Sequence, residues 1–329
     1  MARQRPIYIP DNYTLLLLAV VVLATLLPAR GIGASILQVI TNAAITLLFF
    51  LHGMRLSREA IVAGLVHWRL HLIIFSCTFV LFPVLGVAFE PAYLAFVPQQ
   101  LYQGILYLCF LPSTVQSAIA LTSIARGNIS AAVCAASSST IVGVFLTPFL
   151  VEAWVAPAEG DLAIWESIAR IMLQLVVPFL VGHLLRPILL KWMARTGPLV
   201  MLVDRGSILL VVYTAFSAAV LQGIWQQVSA GAVVALMAIS LVLLALSLGY
   251  TWFVARSLGL NRADQITTMM AGSQKSLASG LPMAQVLFPN PVVGIMVLPL
   301  MVYHQIQLMA CAVLAQRWGE KSAASATQN

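Results

Sequence analysis

The sequence predicts an all-α polytopic membrane protein of ten transmembrane helices arranged as two inverted five-helix repeats. Three observations predict it. Of 329 residues, 61% are hydrophobic and only 8% are charged, whereas roughly a quarter of the residues of a soluble domain are charged. The apolar residues fall into ten runs, each near the length of about 20 residues that a bilayer crossing needs. The basic residues that remain lie in short connections and mostly on one side. The formal charge of +7 is therefore scattered through loops rather than gathered on one face, which argues against nucleic-acid binding.

Residues 1–12 read as a short polar tail with Arg3 and Arg5. The run 13–27 has the length of a secretory h-region, but no small-residue cleavage site and soluble mature domain follow it, so it reads as the first membrane helix. Further runs follow at 34–51, 71–89, 101–124 and 129–154, closing a first repeat over 13–154. An external linker over 155–163 contains Pro157. The second repeat, 164–314, holds runs at 164–185, 208–225, 231–254, 263–288 and 291–314, and a second tail occupies 315–329. Five crossings in each half make the second half run in the opposite sense to the first, which is the arithmetic of an inverted repeat.

Loop charges give the orientation. With the amino terminus cytoplasmic, the inner loops and tails hold Arg55, Arg58, Arg69, Arg126, Arg186, Lys191, Arg195, Arg205, Arg256, Arg262, Arg317 and Lys321. The outer side keeps Arg30 and Arg170 beside Glu90, Glu152, Glu159, Asp161 and Glu166. Such an excess places both termini inside, as expected of a multi-pass protein of the bacterial inner membrane. Trp68, Trp154, Trp165, Trp225, Trp252 and Trp318 fall near span ends, where interfacial tryptophans belong. Cys77, Cys109, Cys134 and Cys311 lie inside apolar runs without metal-ligand spacing and read as structural thiols. Asp204, Arg205, Arg262 and Asp264 read as helix-end anchors.

The chemistry concentrates in 269–283, MMAGSQKSLASGLPM. Lys275 is the only lysine or arginine well inside a predicted span, and ionisable groups at bilayer depth mark solute paths, relays or ion sites. Gly272, Gly280 and Pro282 weaken the helix there, so that it breaks where backbone groups line a polar cavity. The fourth run carries a similar polar stretch at Pro112, Ser113, Thr114, Val115, Gln116 and Ser117. Helices four and nine are thus expected to be broken and to meet near the midplane, where half-helix amino ends attract anions. The candidate substrate- or ion-binding set is Ser113, Thr114, Gln116, Ser117, Ser273, Gln274, Lys275 and Ser276. For Lys275 three readings stand: a charge for an anionic solute, a proton carrier, or a lysine that snorkels or pairs with carbonyls at the break. Hydroxyls and amides also serve as interhelical glue. In the run Ser137, Ser138, Ser139 and Thr140, small-residue packing is the first reading, with Ser137 and Thr140 kept as supporting candidates. Asn42, His304, Gln305 and Gln307 are further intramembrane polar groups.

The segment Leu111 to Pro148, LPSTVQSAIALTSIARGNISAAVCAASSSTIVGVFLTP, resembles the fourth and fifth helices of the bile acid:sodium symporter superfamily. Ala271 to Pro282, AGSQKSLASGLP, resembles the ninth helix of its SBF-like branch. The resemblance extends from the first helix to His304 and Gln305. It implies a ten-helix fold with a mobile core domain, a panel domain, and broken, crossing helices four and nine. Members that couple to sodium carry a glutamate at about Met270, an asparagine near Ile119 or Ser117, a glutamine at Thr78, and hydroxyl residues at Ala132 and Ala136. Most of those oxygens are missing here, and a hard cation wants several. Sodium therefore remains an open coupling ion rather than an expected ligand, and Thr78 joins the supporting candidates.

The function these residues favour is a secondary active transporter, symporter-like, moving a small organic anion by alternating access. No GxxxxGK[ST] phosphate loop is present, so a sodium or proton gradient is the expected drive. An intramembrane enzyme is the alternative; paired carboxylates, HExxH and GxSxG are absent, while a Ser/Lys dyad stays open. A regulatory protein with a transporter fold and no net flux is the third reading. No cofactor, metal or nucleic acid is expected, the lipid bilayer is a partner, and homo-oligomerisation is left open.

Overall fold

The computed structural model describes residues 12–55, 67–155, 172–195, 197–223, 226 and 228–327, and over these it is all-α. Helices α1 (Asn12–Leu26), α2 (Gly31–Arg55) and α3 (Trp68–Ala88) follow the first three apolar runs. A short α4 (Glu90–Leu94) comes next, a turn of helix that the apolar pattern did not announce. The fourth run appears as α5 (Gln99–Phe110) and α6 (Gln116–Ile124), with 111–115 non-helical between them. Then come α7 (Ile129–Trp154), α8 (Val177–Arg195), α9 (Gly197–Leu221) and α10 (Ala230–Ser257). The ninth run is α11 (Arg262–Gly272) and α12 (Leu277–Leu287), separated by 273–276. The chain ends in α13 (Asn290–Thr327), which runs thirteen residues past the apolar limit expected at 314.

Five helical stretches among the described residues are long and apolar enough to cross a membrane: Gly31–Arg55, Trp68–Ala88, Ile129–Trp154, Ala230–Ser257 and Asn290–Glu320. Their outward faces carry large apolar side chains such as Ile32, Val39, Val234 and Phe253. The protein is a multi-pass membrane protein. Arg3, Arg5, Arg58, Glu159, Asp161, Glu166, Arg170, Trp165 and Trp225, most of the linker 155–163 and the start of the sixth run lie outside the described residues, as do the side chains of Lys191, Arg195, Asp204 and Lys321. All four cysteines are buried free thiols.

Two features fix the parts that matter for the site. Helices α2 and α8 meet backbone to backbone: a Cβ on Gly53 would collide with the Phe179 carbonyl, and one on Gly182 with the Phe50 carbonyl. Residues 126–128 form the second. Arg126 takes a left-handed φ of 59°, and Asn128 then caps α7 by accepting from the Ala131 N–H at 3.1 Å. The Asn128 amide also donates to Asp264 at 2.8 Å, its backbone N–H donates to the Thr267 hydroxyl at 2.8 Å, and Thr267 donates back to the Asn128 carbonyl. Asp264 sits in the first turn of α11, capped by Asn261. A tight turn, a cap and a carboxylate thus join the start of α7 to the start of α11. The anchoring role expected for Asp264 is what these bonds describe.

Candidate functional site

The site is built from carbonyls that lost their helical donors. Pro112 has no N–H, so Leu108 O takes the Leu111 N–H at 3.3 Å instead of a bond from four residues on. The Ser113 N–H, the natural donor to Cys109 O, goes to the Ser139 hydroxyl at 3.0 Å. Phe110 O receives the Thr147 hydroxyl at 2.7 Å. In α3 a wide π turn over Cys77–Leu81 sends the Phe82 N–H to Cys77 O, and the following residue is Pro83, so Thr78 O is left without a helical partner.

Lys275 meets these orphans. Its ammonium donates to Leu111 O at 2.7 Å, and to Thr78 O and Cys109 O at 3.0 Å each. Carbonyls only accept, so the amine is the donor in each contact. The Phe82 ring lies 4.1 Å from Nζ and adds a cation–π contact. Lys275 is fully buried, and the three contacts of its amine are all to backbone oxygens, without a serine among them. Of the three readings given above, pairing with carbonyls is the geometry found.

The segments 111–115 and 273–276 bind each other directly. The Ser276 N–H donates to Pro112 O at 2.9 Å, the Ser113 hydroxyl to Ala271 O at 2.5 Å, and the Ser117 hydroxyl to the Gln274 side-chain oxygen at 3.0 Å. Ser273 donates to Met269 O within its own turn, and Ser276 caps α12 through the Ser279 N–H. From α13, Gln307 accepts from the Lys275 N–H and donates to the Lys275 carbonyl, at 2.8 and 2.9 Å, and contacts His304 Nδ1 at 2.8 Å. Tyr303 donates to Ser273 O. A Cβ on Gly143 of α7 would approach the Pro112 ring to 2.5 Å, so only glycine lets α7 pass there.

Beside this meeting point lies a cavity of about 120 Å³. Thr114 and Ser276 from the two segments, Gln116 at the start of α6, and Ser137 and Thr140 from α7 supply hydroxyl and amide groups; His52 and Arg55 of α2 form its basic side. Among the described residues, no carboxylate lines it. The amino ends of α6 and α12, at Gln116 and Leu277, open at the same place.

Seven of the eight sequence-named residues bond at the meeting point or line the cavity, and Ser273 touches it through its carbonyl. Gln274 is fully buried, and among the described residues its amide nitrogen and the Thr78 hydroxyl have no hydrogen-bond partner. Asn42 bonds to Gln38 and Thr46 on its own helix and stands apart. Gln305 is half-buried on α13 and enters none of these bonds. Sequence reasoning missed Ser139, Thr147, Tyr303, His52 and Arg55 as site residues, and took Gln307 as a generic polar group. Pro83 and Pro112 were a usable signal for the carbonyl cage; Arg55 was read only as a topology charge.

Comparison with known proteins bears out the resemblance. The model of the SBF-like CPA transporter family matches residues 11–320. The chain is 55% identical to "Uncharacterized protein PA2026" of Pseudomonas aeruginosa, covering 96% of this chain and 95% of that one. It is 53% identical to "Putative symporter YfeH" of Escherichia coli K12, over 94% and 92% of the two chains. It is 25% identical to "Sodium/bile acid cotransporter 7-B" of Xenopus laevis, over 91% and 88%.

Proposed function

The chain belongs to the SBF-like CPA transporter family, and from that premise we propose a secondary active transporter that moves a small organic anion by alternating access. It is a transporter, not an enzyme. The reading carries the ten-crossing, doubly repeated topology with cytoplasmic termini, in which α5 with α6 and α11 with α12 are the two halves of broken helices four and nine. The mobile core holds these four helices, and the panel holds α2 and α8.

The observation that supports the anionic solute is the cavity beside the two segments. Two helix amino ends, Arg55 and His52 converge on it, with hydroxyls and an amide and, among the described residues, without a lining carboxylate. Convergent N–H groups and a basic side chain favour negative charge. Lys275 supports the same reading indirectly. Its charge is held by α3 and α5, at a place where sodium-coupled relatives of the superfamily hold a cation, so it serves as a resident cation that keeps the two segments together. Thr114, Gln116, Ser137, Thr140 and Ser276 contact the solute; Ser113, Ser117, Ser273 and Gln274 hold the segments that carry them.

The experiment is a thermal-shift screen of detergent-purified protein against small carboxylates and sulfonates beside their neutral amides, followed by uptake into proteoliposomes under sodium or proton gradients. Ligands that bind the folded state raise its midpoint by mass action. The expected result is stabilisation by at least one anion, lost in Arg55→Gln, with uptake driven by one of the two gradients. Equal stabilisation by neutral amides, unaffected by Arg55→Gln, overturns the anionic assignment.

A further inference from the structure

A second cavity, of about 390 Å³, lies towards the other end of α2. Its polar wall comes from Ser35 and Gln38 of α2, Thr214 and Ser217 of α9, and Asn290 at the start of α13. Along α2, fourteen residues separate Gln38 from His52 at the first cavity, about 21 Å of helical rise. The two cavities therefore open towards opposite ends of one membrane-length helix.

What lies between them is closed. Ile45, Leu48 and Phe49 of α2, with Val211 and Val212 of α9, are buried at 1% exposure or less. The Thr41 and Thr214 hydroxyls meet at 3.0 Å, and the Ser207 hydroxyl reaches Ala44 O at 3.3 Å, so α2 and α9 are bonded along this layer. The second cavity begins where that layer ends. There the Ser217 hydroxyl, 2% exposed, has no hydrogen-bond partner among the described residues. Buried hydroxyls on helices ordinarily bond to a carbonyl or to another group, so this one is placed for a group arriving from the cavity.

The two cavities differ in chemistry and in size. The first is basic and small. The second has no ionisable residue among the residues that line it, and Leu37, Val39 and Leu221 form its apolar side. Its volume falls in the range of about 300–1,000 Å³ usual for sites that hold small organic ligands.

Resting on the transporter reading above, we propose that the second cavity is a separate solute station on the opposite side of the membrane. It takes a small amphipathic solute through neutral hydrogen bonds to Ser217 and Gln38, and the solute's charge is read only at the first cavity. Hydroxyl and amide groups bind an acid and its amide alike, whereas a basic site with two helix amino ends separates them.

The test uses two reporters that take no part in the polar contacts, Ala218→Cys in the second cavity and Ala278→Cys in the first. The four native thiols are buried, so the native chain is the unreactive control. A membrane-impermeant thiol reagent is applied to intact cells and to inside-out vesicles, alone and with millimolar benzamide or benzoate. The expected result is labelling of each cysteine in only one preparation, and not the same one. Both compounds slow the labelling of Ala218→Cys several-fold, and only benzoate slows that of Ala278→Cys. Adding Ser217→Val to Ala218→Cys removes the protection by benzamide while unprotected labelling stays at its former rate, which shows that the variant is folded. Labelling of both cysteines from one face, or no protection of Ala218→Cys by benzamide, overturns the proposal. Protection of Ala218→Cys by both compounds with none of Ala278→Cys by benzoate leaves this station standing and refutes the anionic reading of the first cavity instead.

Discussion

At Lys275, a single side chain closes the carboxyl end of α5, the wide turn of α3 and the segment leading into α12. Lys275→Met leaves three buried carbonyls without partners, each losing a bond worth about 1 kcal/mol, so a loss of about 3 kcal/mol is expected in unfolding measurements in detergent. Lys275→Arg is expected to rescue little, because a planar fork of donors does not converge on one point as three ammonium protons do. Gln307→Leu removes the pair of bonds to the Lys275 backbone and is expected to cost about 2 kcal/mol, read as a lower thermal midpoint. Lys275 itself was plain in the sequence, as a lone cation in an apolar run. Its partners were not, since backbone carbonyls have no letter of their own; only Pro83 and Pro112 hinted at which ones are short of a donor. Ser139 was hidden for a different reason. In a run of four hydroxyl residues every helix face is covered, and nothing local says that one of them will meet the Ser113 N–H while Ser137 and Thr140 line the cavity.

Among the elements, the junction of α7 with α11 is the one whose strength is open to direct measurement. Asn128→Ala removes a cap worth about 1 kcal/mol and a hydrogen bond to a carboxylate worth about 1.5–3 kcal/mol. Paired with Asp264→Ala in a double-mutant cycle, it is expected to show a coupling above about 0.5 kcal/mol, because the two side chains touch; additive effects would separate them. The apolar runs located these helices well: 129–154 coincides with α7, and 231–254 lies within α10. Short polar elements were harder. Helix α4 has too few residues to carry a period, and the turn at Arg126 depends on contacts with α11, more than a hundred residues away in the chain.

For the molecule as a whole, composition sufficed to give the membrane class, because a chain with 8% charged residues has too little polar surface to cover a soluble domain. The topology proposed here predicts a fluorescent carboxyl-terminal green fluorescent protein fusion and an inactive alkaline phosphatase fusion at the same place; the reverse pattern overturns the orientation. Composition said nothing of the two cavities, since each is assembled from helices distant in sequence. The glycine pair of α2 and α8 has a consequence for how any cycle proceeds. With Gly53 against Phe179 and Gly182 against Phe50, the two backbones touch at two points on reciprocal residues, and neither glycine position has room for a side chain. Contact at two points predicts that they move as one beam, so a pair of spin labels, one on each helix, is expected to hold its distance between solute-free and solute-bound protein, and a changed distance overturns this.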